Sequence, residues 1–160
     1  MSVTTHELGL EAMDAIRDVD ALCLFVGEEE RPLRGASGLV DWRLCGALSR
    51  VLQEKFFTGT PGDWLLLPTS GRFPVPRVFV AGVGRSRQLG SDGLVSALAS
   101  AVQTLRKAGS QGVALEIPGS GVIDDHARVS ALQQTFLPAF RSGHVALLGD
   151  KAFTRLLSNA

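Results

Sequence analysis

The sequence predicts an α/β fold of three layers, with a mixed, mostly parallel sheet and helices on both faces. Three observations carry that reading. Five short apolar runs are mostly continuous rather than alternating, as strands covered on both faces require. The segments between them repeat apolar residues at three- and four-residue steps, which gives each helix one stripe to lay on the sheet. One link between runs is too turn-rich for a crossover helix, so it predicts a single antiparallel pair among parallel neighbours.

A weaker strand candidate lies near Val3 to Leu10, and the first continuous run is Ala21 to Val26. Val40, Leu44, Leu48, Val51 and Leu52 then mark a helix. Trp64 to Leu67 and Val78 to Val83 follow as strands. The link between them holds Pro68, Gly71, Pro74 and Pro76, and makes them the hairpin. Leu94, Leu98, Val102 and Leu105 stripe the next helix, capped by Ser91 or Asp92, whose side-chain oxygens can accept from a free backbone N–H. Lys107 in its last turn and Gly109 just beyond suit a helix C-terminus. Val113 to Ile117 is a strand. Val129, Leu132, Phe136 and Phe140 stripe a third helix, capped by Asp124 or Asp125. Pro138 should kink or end it, because proline lacks an N–H and clashes with the preceding turn. Val145 to Leu148 is the last strand, and Phe153, Leu156 and Leu157 suggest a short terminal helix.

At 160 residues and 17.0 kDa the chain is expected to form one domain, residues 1–160. A chain of that size buries roughly two thirds of its unfolded surface and needs no metal or disulfide to hold it together. Sixteen basic residues balance sixteen acidic ones. That neutrality argues against nucleic acid and anionic membrane as partners, since both are bound through excess Lys and Arg. The opening residues, Met-Ser-Val-Thr-Thr-His-Glu, lack the basic region and apolar run of a signal peptide. No apolar run approaches the roughly 20 residues that cross a bilayer. The two cysteines, Cys23 and Cys45, sit in apolar patterns and read as buried reduced thiols, so the expected location is cytoplasmic. Trp42 and Trp64 read as half-buried packing residues.

Glycine loops are the candidate ligand features. Gly82-Val83-Gly84-Arg85-Ser86-Arg87 leaves a strand as a dinucleotide fingerprint would, but Arg87 stands where the third glycine belongs. Two readings stay open: a sharp turn that needs glycine's freedom, or a backbone cradle for a phosphate or other anion, helped by Arg85 and Arg87. Pro118-Gly119-Ser120-Gly121 also follows a strand. It is a flexible strand-to-helix connection or part of a pocket, since ligands sit beyond the carboxyl ends of strands in open α/β sheets. The candidate ligand residues are thus Gly82, Gly84, Arg85, Arg87, Gly119, Ser120 and Gly121. Arg72, Arg77, Arg85 and Arg87 read as solvated surface or as a patch for an acidic partner or phosphate. Glu28, Glu29 and Glu30 read as a solvated loop.

The pattern nominates no catalytic residue and no metal ligand. His6, His126 and His144 are dispersed, and the aspartates beside His126 are explained by a helix start. Gly35-Ala36-Ser37-Gly38 lacks the spacing of a nucleophile elbow, because position 39 is Leu. Ser120 has no base assigned by pattern, and no Walker lysine follows either glycine loop.

Leu44-Cys45-Gly46-Ala47-Leu48-Ser49, then Phe57-Thr58-Gly59-Thr60-Pro61-Gly62-Asp63-Trp64-Leu65-Leu66-Leu67-Pro68, resembles the N-terminal domain of the leucine (cytosol) aminopeptidases. Arg77-Val78-Phe79-Val80-Ala81-Gly82-Val83-Gly84, the helix from Asp92 to Gly109 and the strand ending at Pro118 extend the resemblance, and Asp20 to Val26 matches the early strand. The resemblance implies a macro-domain-like fold. In that family a larger catalytic domain follows, carrying an Asn-Thr-Asp-Ala-Glu-Gly-Arg signature and the ligands of a two-metal peptidase site. Neither stands in this sequence, so no catalytic residue carries over to any position. The family's N-terminal domain contributes to assembly and, in some members, to DNA binding; the zero net charge weakens the latter here. Its fold relatives include domains that bind ADP-ribose with glycine-rich loops near strand ends.

The expected role is therefore that of a stand-alone, non-catalytic homologue of this domain, a protein-interaction or assembly module that self-associates or binds a protein partner, without a cofactor. The alternative is a binding domain for a small anionic ligand, a nucleotide or ADP-ribose-type anion.

Overall fold

Continuous apolar runs demand cover on both faces. The computed structural model, which describes residues 1–160, supplies it from helices on each side of a six-stranded sheet. The strands are β1 (Ser2–Glu7), β2 (Ala21–Val26), β3 (Trp64–Pro68), β4 (Arg77–Gly82), β5 (Gly112–Glu116) and β6 (His144–Gly149), in the order β1-β6-β5-β2-β4-β3. All neighbours are parallel except β3 and β4, the hairpin that the proline-rich link predicts, with Trp64 opposite Ala81. Five strands thus end on one rim.

Every residue of β2 is buried, because alternate side chains enter two separate cores. Ala21, Cys23 and Phe25 face α4 (Ser91–Lys107), α5 (Asp125–Ala131) and α6 (Lys151–Ser158), where they meet Leu98, Leu132 and Phe153. Leu22, Leu24 and Val26 face α1 (Leu10–Ala15), α2 (Gly35–Arg43) and α3 (Ala47–Gln53), where they meet Met13, Val40 and Leu48. The expected three-layer, mixed and mostly parallel α/β architecture is the observed one.

Several local expectations are corrected. The first strand stops at Glu7, and Leu10 opens α1 instead of continuing it. The single helix expected through Val40 and Leu52 is broken into α2 and α3, since Cys45 and Gly46 adopt left-handed conformations at φ 55° and 80°. Cys45 is therefore exposed, while Cys23 is buried as expected. Trp42 is 74% exposed. Only Trp64 is half-buried, with Nε1 donating to Ser100 Oγ at 3.2 Å.

Gly90 occupies the N-cap of α4, so Ser91 begins that helix without capping it. Asp124 does cap α5, accepting the Ala127 N–H at 3.2 Å. Beyond α5 the chain widens to a π turn over Leu132–Phe136 and tightens to a 3₁₀ turn over Leu137–Phe140, which holds Pro138. The missing N–H and the ring's bulk break the α pattern there while the Phe136 and Phe140 rings stay stacked at 4.9 Å. No helix is long and apolar enough to cross a membrane.

Candidate functional site

Because β2, β4, β5 and β6 run parallel, the loops that leave them meet on the rim at their carboxyl ends. There they enclose a cleft of about 630 Å³, whose lining includes Glu30, Arg87, Glu116, Gly119, Ser120 and Asp150. Acidic and arginine side chains line it in equal number.

The two glycine loops contribute unequally. Of the first, Arg87 lines the cleft, whereas Gly82, Gly84 and Arg85 lie outside the lining. Gly82 is required by close backbone approach: a Cβ there would overlap the Thr60 carbonyl oxygen. Gly84, at φ 74°, donates its N–H to Gly59 O and accepts from Glu28 N, each at 2.8 Å. The next amides are taken as well. Ser86 N–H donates to Glu29 Oε1 at 2.7 Å, and the Ser86 hydroxyl donates to the same oxygen. The Ser86 hydroxyl and the Ser86 and Arg87 amides hold the Glu29 carboxyl below the ordinary carboxylate range. The anion beside this loop is the protein's own, and Glu29 is tied to the loop instead of standing free in solvent.

The second loop is open. Gly119 O accepts from Val122 N at 3.0 Å and Ile123 N at 2.8 Å, turning the chain tightly, with Gly119 and Gly121 at φ 96° and 74°. The N–H groups of Gly119, Ser120 and Gly121 donate to no protein acceptor. Gly119 and Ser120 line the cleft; Gly121 lies outside the lining. Successive amides in such a turn form a concavity that favours an anion.

Arg128 fixes this loop from below. It is 2% exposed, and its guanidinium donates to Ile117 O, to Pro118 O at 3.2 Å and to Asp125 Oδ1 at 2.8 Å, while lying 4.1 Å from the Phe153 ring centroid. Sequence reasoning missed it. The available signal was an arginine four residues before Leu132, on the apolar stripe of α5.

Glu116, at the end of β5, was also missed, because it reads as a strand terminus. Its Oε2 accepts the Ala36 N–H at 2.7 Å, at the start of α2. Gly35, at φ 58°, leaves the space, since a Cβ there would run into the same carboxylate. Burial pushes the Glu116 pKa up, the Ala36 N–H and Arg128 oppose that, and Glu30 and Asp150 add to it. Asp150 itself caps α6 through the Phe153 N–H at 2.8 Å.

The four arginines grouped in sequence do not gather in space. Arg77 Nη2 donates to Asp20 Oδ1 at 2.9 Å and to Ser110 Oγ at 3.0 Å, and Arg72 Nη1 lies 3.0 Å from Cys45 Sγ. No three His, Cys, Asp or Glu side chains converge where they could hold a metal ion.

Residues 22–141 match the family described as "Cytosol aminopeptidase family, N-terminal domain". A probable cytosol aminopeptidase of Geobacter sulfurreducens is 33% identical over 103 residues, which is 64% of this chain and 21% of that protein. The cytosol aminopeptidase of Pseudomonas aeruginosa is 36% identical over 117 residues, 71% of this chain and 23% of that protein. The chain thus spans about a fifth of the length of these curated relatives. Among solved structures, a tomato leucine aminopeptidase mutant superposes with a TM-score of 0.66 at 15% identity, covering 99% of this chain and 35% of that one. A Trypanosoma brucei macrodomain in complex with ADP-ribose superposes with a TM-score of 0.75 at 11% identity, covering 98% and 68%. These likenesses establish a macrodomain-like fold.

Proposed function

The chain belongs to the cytosol aminopeptidase family through its N-terminal domain, and from that premise we propose that its rim cleft binds a small anionic ligand of the nucleotide or ADP-ribose type. The observation that carries this reading is the set of open amides at Gly119, Ser120 and Gly121 beside a cleft of about 630 Å³. Structures of the same fold have been solved with ADP and with ADP-ribose, which supports that ligand class. Of the residues nominated from sequence, Arg87, Gly119 and Ser120 would meet the ligand. Gly82, Gly84, Arg85 and Gly121 would shape the loops. Calorimetry with ADP-ribose and ADP tests the reading. Binding that is lost in Ser120→Pro, which removes one open N–H, supports it. No heat with millimolar ligand overturns it.

A second reading is an assembly role, through self-association or a protein partner. Trp42 at 74% exposure and Phe56 at 83% favour it, because large aromatic side chains left in water are common interface anchors. Light scattering should then give a mass above 17.0 kDa, and Trp42→Ser should lower it. A monomer at every concentration overturns self-association. The names of the curated relatives favour a cytoplasmic setting.

A further inference from the structure

The two walls of the cleft differ in chemistry. One presents the open amides of Gly119 and Ser120, with that of Gly121 beside them outside the lining. The other presents Glu116, whose Oε2 is held by Ala36 N–H at 2.7 Å and whose Oε1 accepts no protein hydrogen bond. The start of α2 on this wall is therefore already neutralised by an anion from within the chain. Glu30 and Asp150 lie close enough to raise the cost of charge on Glu116, and Arg128, the cation that opposes them, spends its donors on Ile117 O, Pro118 O and Asp125.

We propose that Glu116 sets the selectivity of the cleft, admitting ligands that bring an anionic group to the Gly119–Gly121 amides and a hydrogen-bond donor, rather than a second anion, to its carboxylate. This inference rests on the cleft being a ligand site. A hydroxyl or ammonium can donate to Oε1, and charge-assisted bonds of that kind are among the stronger ones. Arg31, Arg34 and Arg87 also line the cleft, but the cation that acts on Glu116 is Arg128, whose guanidinium is already engaged, so a second phosphate at Glu116 would meet the Glu116, Glu30 and Asp150 carboxylates, and like charges in a partly buried site repel strongly. Because burial pushes the Glu116 carboxyl up, the discrimination fades on acidification, starting above the ordinary glutamate range.

Three sugar phosphates on one scaffold test this by calorimetry and amide chemical shifts: glucosamine 6-phosphate, glucose 6-phosphate and glucose 1,6-bisphosphate. The wild-type protein should bind the first about ten-fold more tightly than the third, with shifts at Gly119–Gly121 and Ala36. Glu116→Gln keeps the shape and an acceptor for Ala36 N–H, and should erase that preference. If the variant does not fold, the wild-type preference should still shrink as the pH falls through the glutamate range. Binding with an unchanged order in Glu116→Gln, or a wild-type order that ignores pH, overturns the selectivity role and leaves the cleft reading intact. If ADP-ribose binds and none of the three probes does, the selectivity role alone is overturned; if ADP-ribose and ADP fail as well, both readings are.

Discussion

The Glu29 carboxylate accepts the Ser86 backbone N–H at 2.7 Å, closing the loop after β2 onto the loop after β4. The bond joins residues far apart in sequence at the mouth of the cleft. Glu29→Gln should weaken that closure, lowering the hydrogen-exchange protection of the Ser86 amide by about five-fold. The Glu29 pKa is depressed in the folded state, so its contribution is present above the ordinary carboxylate range and lost as pH falls through the lowered value. The gap between wild type and variant should therefore close in acid. Equal protection in both proteins at neutral pH would show that the bond does not hold the loop.

Arg128 is the most consequential buried charge. Replacing it with Met would leave the Ile117 and Pro118 carbonyls and Asp125 without their donor. Urea denaturation should show a loss of about 3 kcal/mol. The loss should be accompanied by line broadening at Gly119–Gly121 if Arg128 fixes that loop. A loss below about 1 kcal/mol would contradict its role as the loop's anchor.

Gly82 separates the structural from the ligand-binding reading of the first glycine loop. Gly82→Ala forces a methyl into the Thr60 carbonyl and the Gly59 backbone, neither of which is a flexible side-chain end. Thermal or urea unfolding should register about 2 kcal/mol of destabilisation or more. If stability were unchanged and only ligand affinity fell, the glycine would instead be serving the ligand.

The two thiols should react at different rates. Cys23 lies at the centre of the sheet and burial pushes its thiol strongly up, so it forms no thiolate at neutral pH. Cys45 is exposed on the turn between α2 and α3. A thiol-reactive dye should label one cysteine in the native protein and both in denaturant. Labelling of two in the native state would mean that β2 is not covered as described.

What the sequence conveyed best was what repetition encodes. Continuous apolar runs placed β2 to the residue, and the remaining strands of the sheet core within a residue or two. The turn-rich link identified the antiparallel β3–β4 pair correctly. Local exceptions escaped. The stripe from Val40 to Leu52 keeps helical spacing across Cys45 and Gly46, so periodicity alone could not reveal that the helix breaks there. At the site, glycine spacing located both loops, and parallel strands brought them to one rim. It could not reveal that Glu29 fills the amides of the first, nor that Glu116 reaches the start of α2 eighty residues earlier. Those pairings are set by tertiary geometry, and a glutamate at a strand end or in an acidic run carries no periodic signal of its partner.

The strand order also dictates when the fold can be completed. β1 pairs only with β6, the first strand of the chain with the last, and β6 in turn bridges β1 to β5. A nascent chain that has made β2 through β5 can form the middle of the sheet. Its first strand must wait, unpaired, until residues 144–149 emerge. Such a long-range closure is entropically costly and slow. The β1 edge is thus closed by the pairing of greatest sequence separation in the sheet, residues 2–7 with residues 144–149.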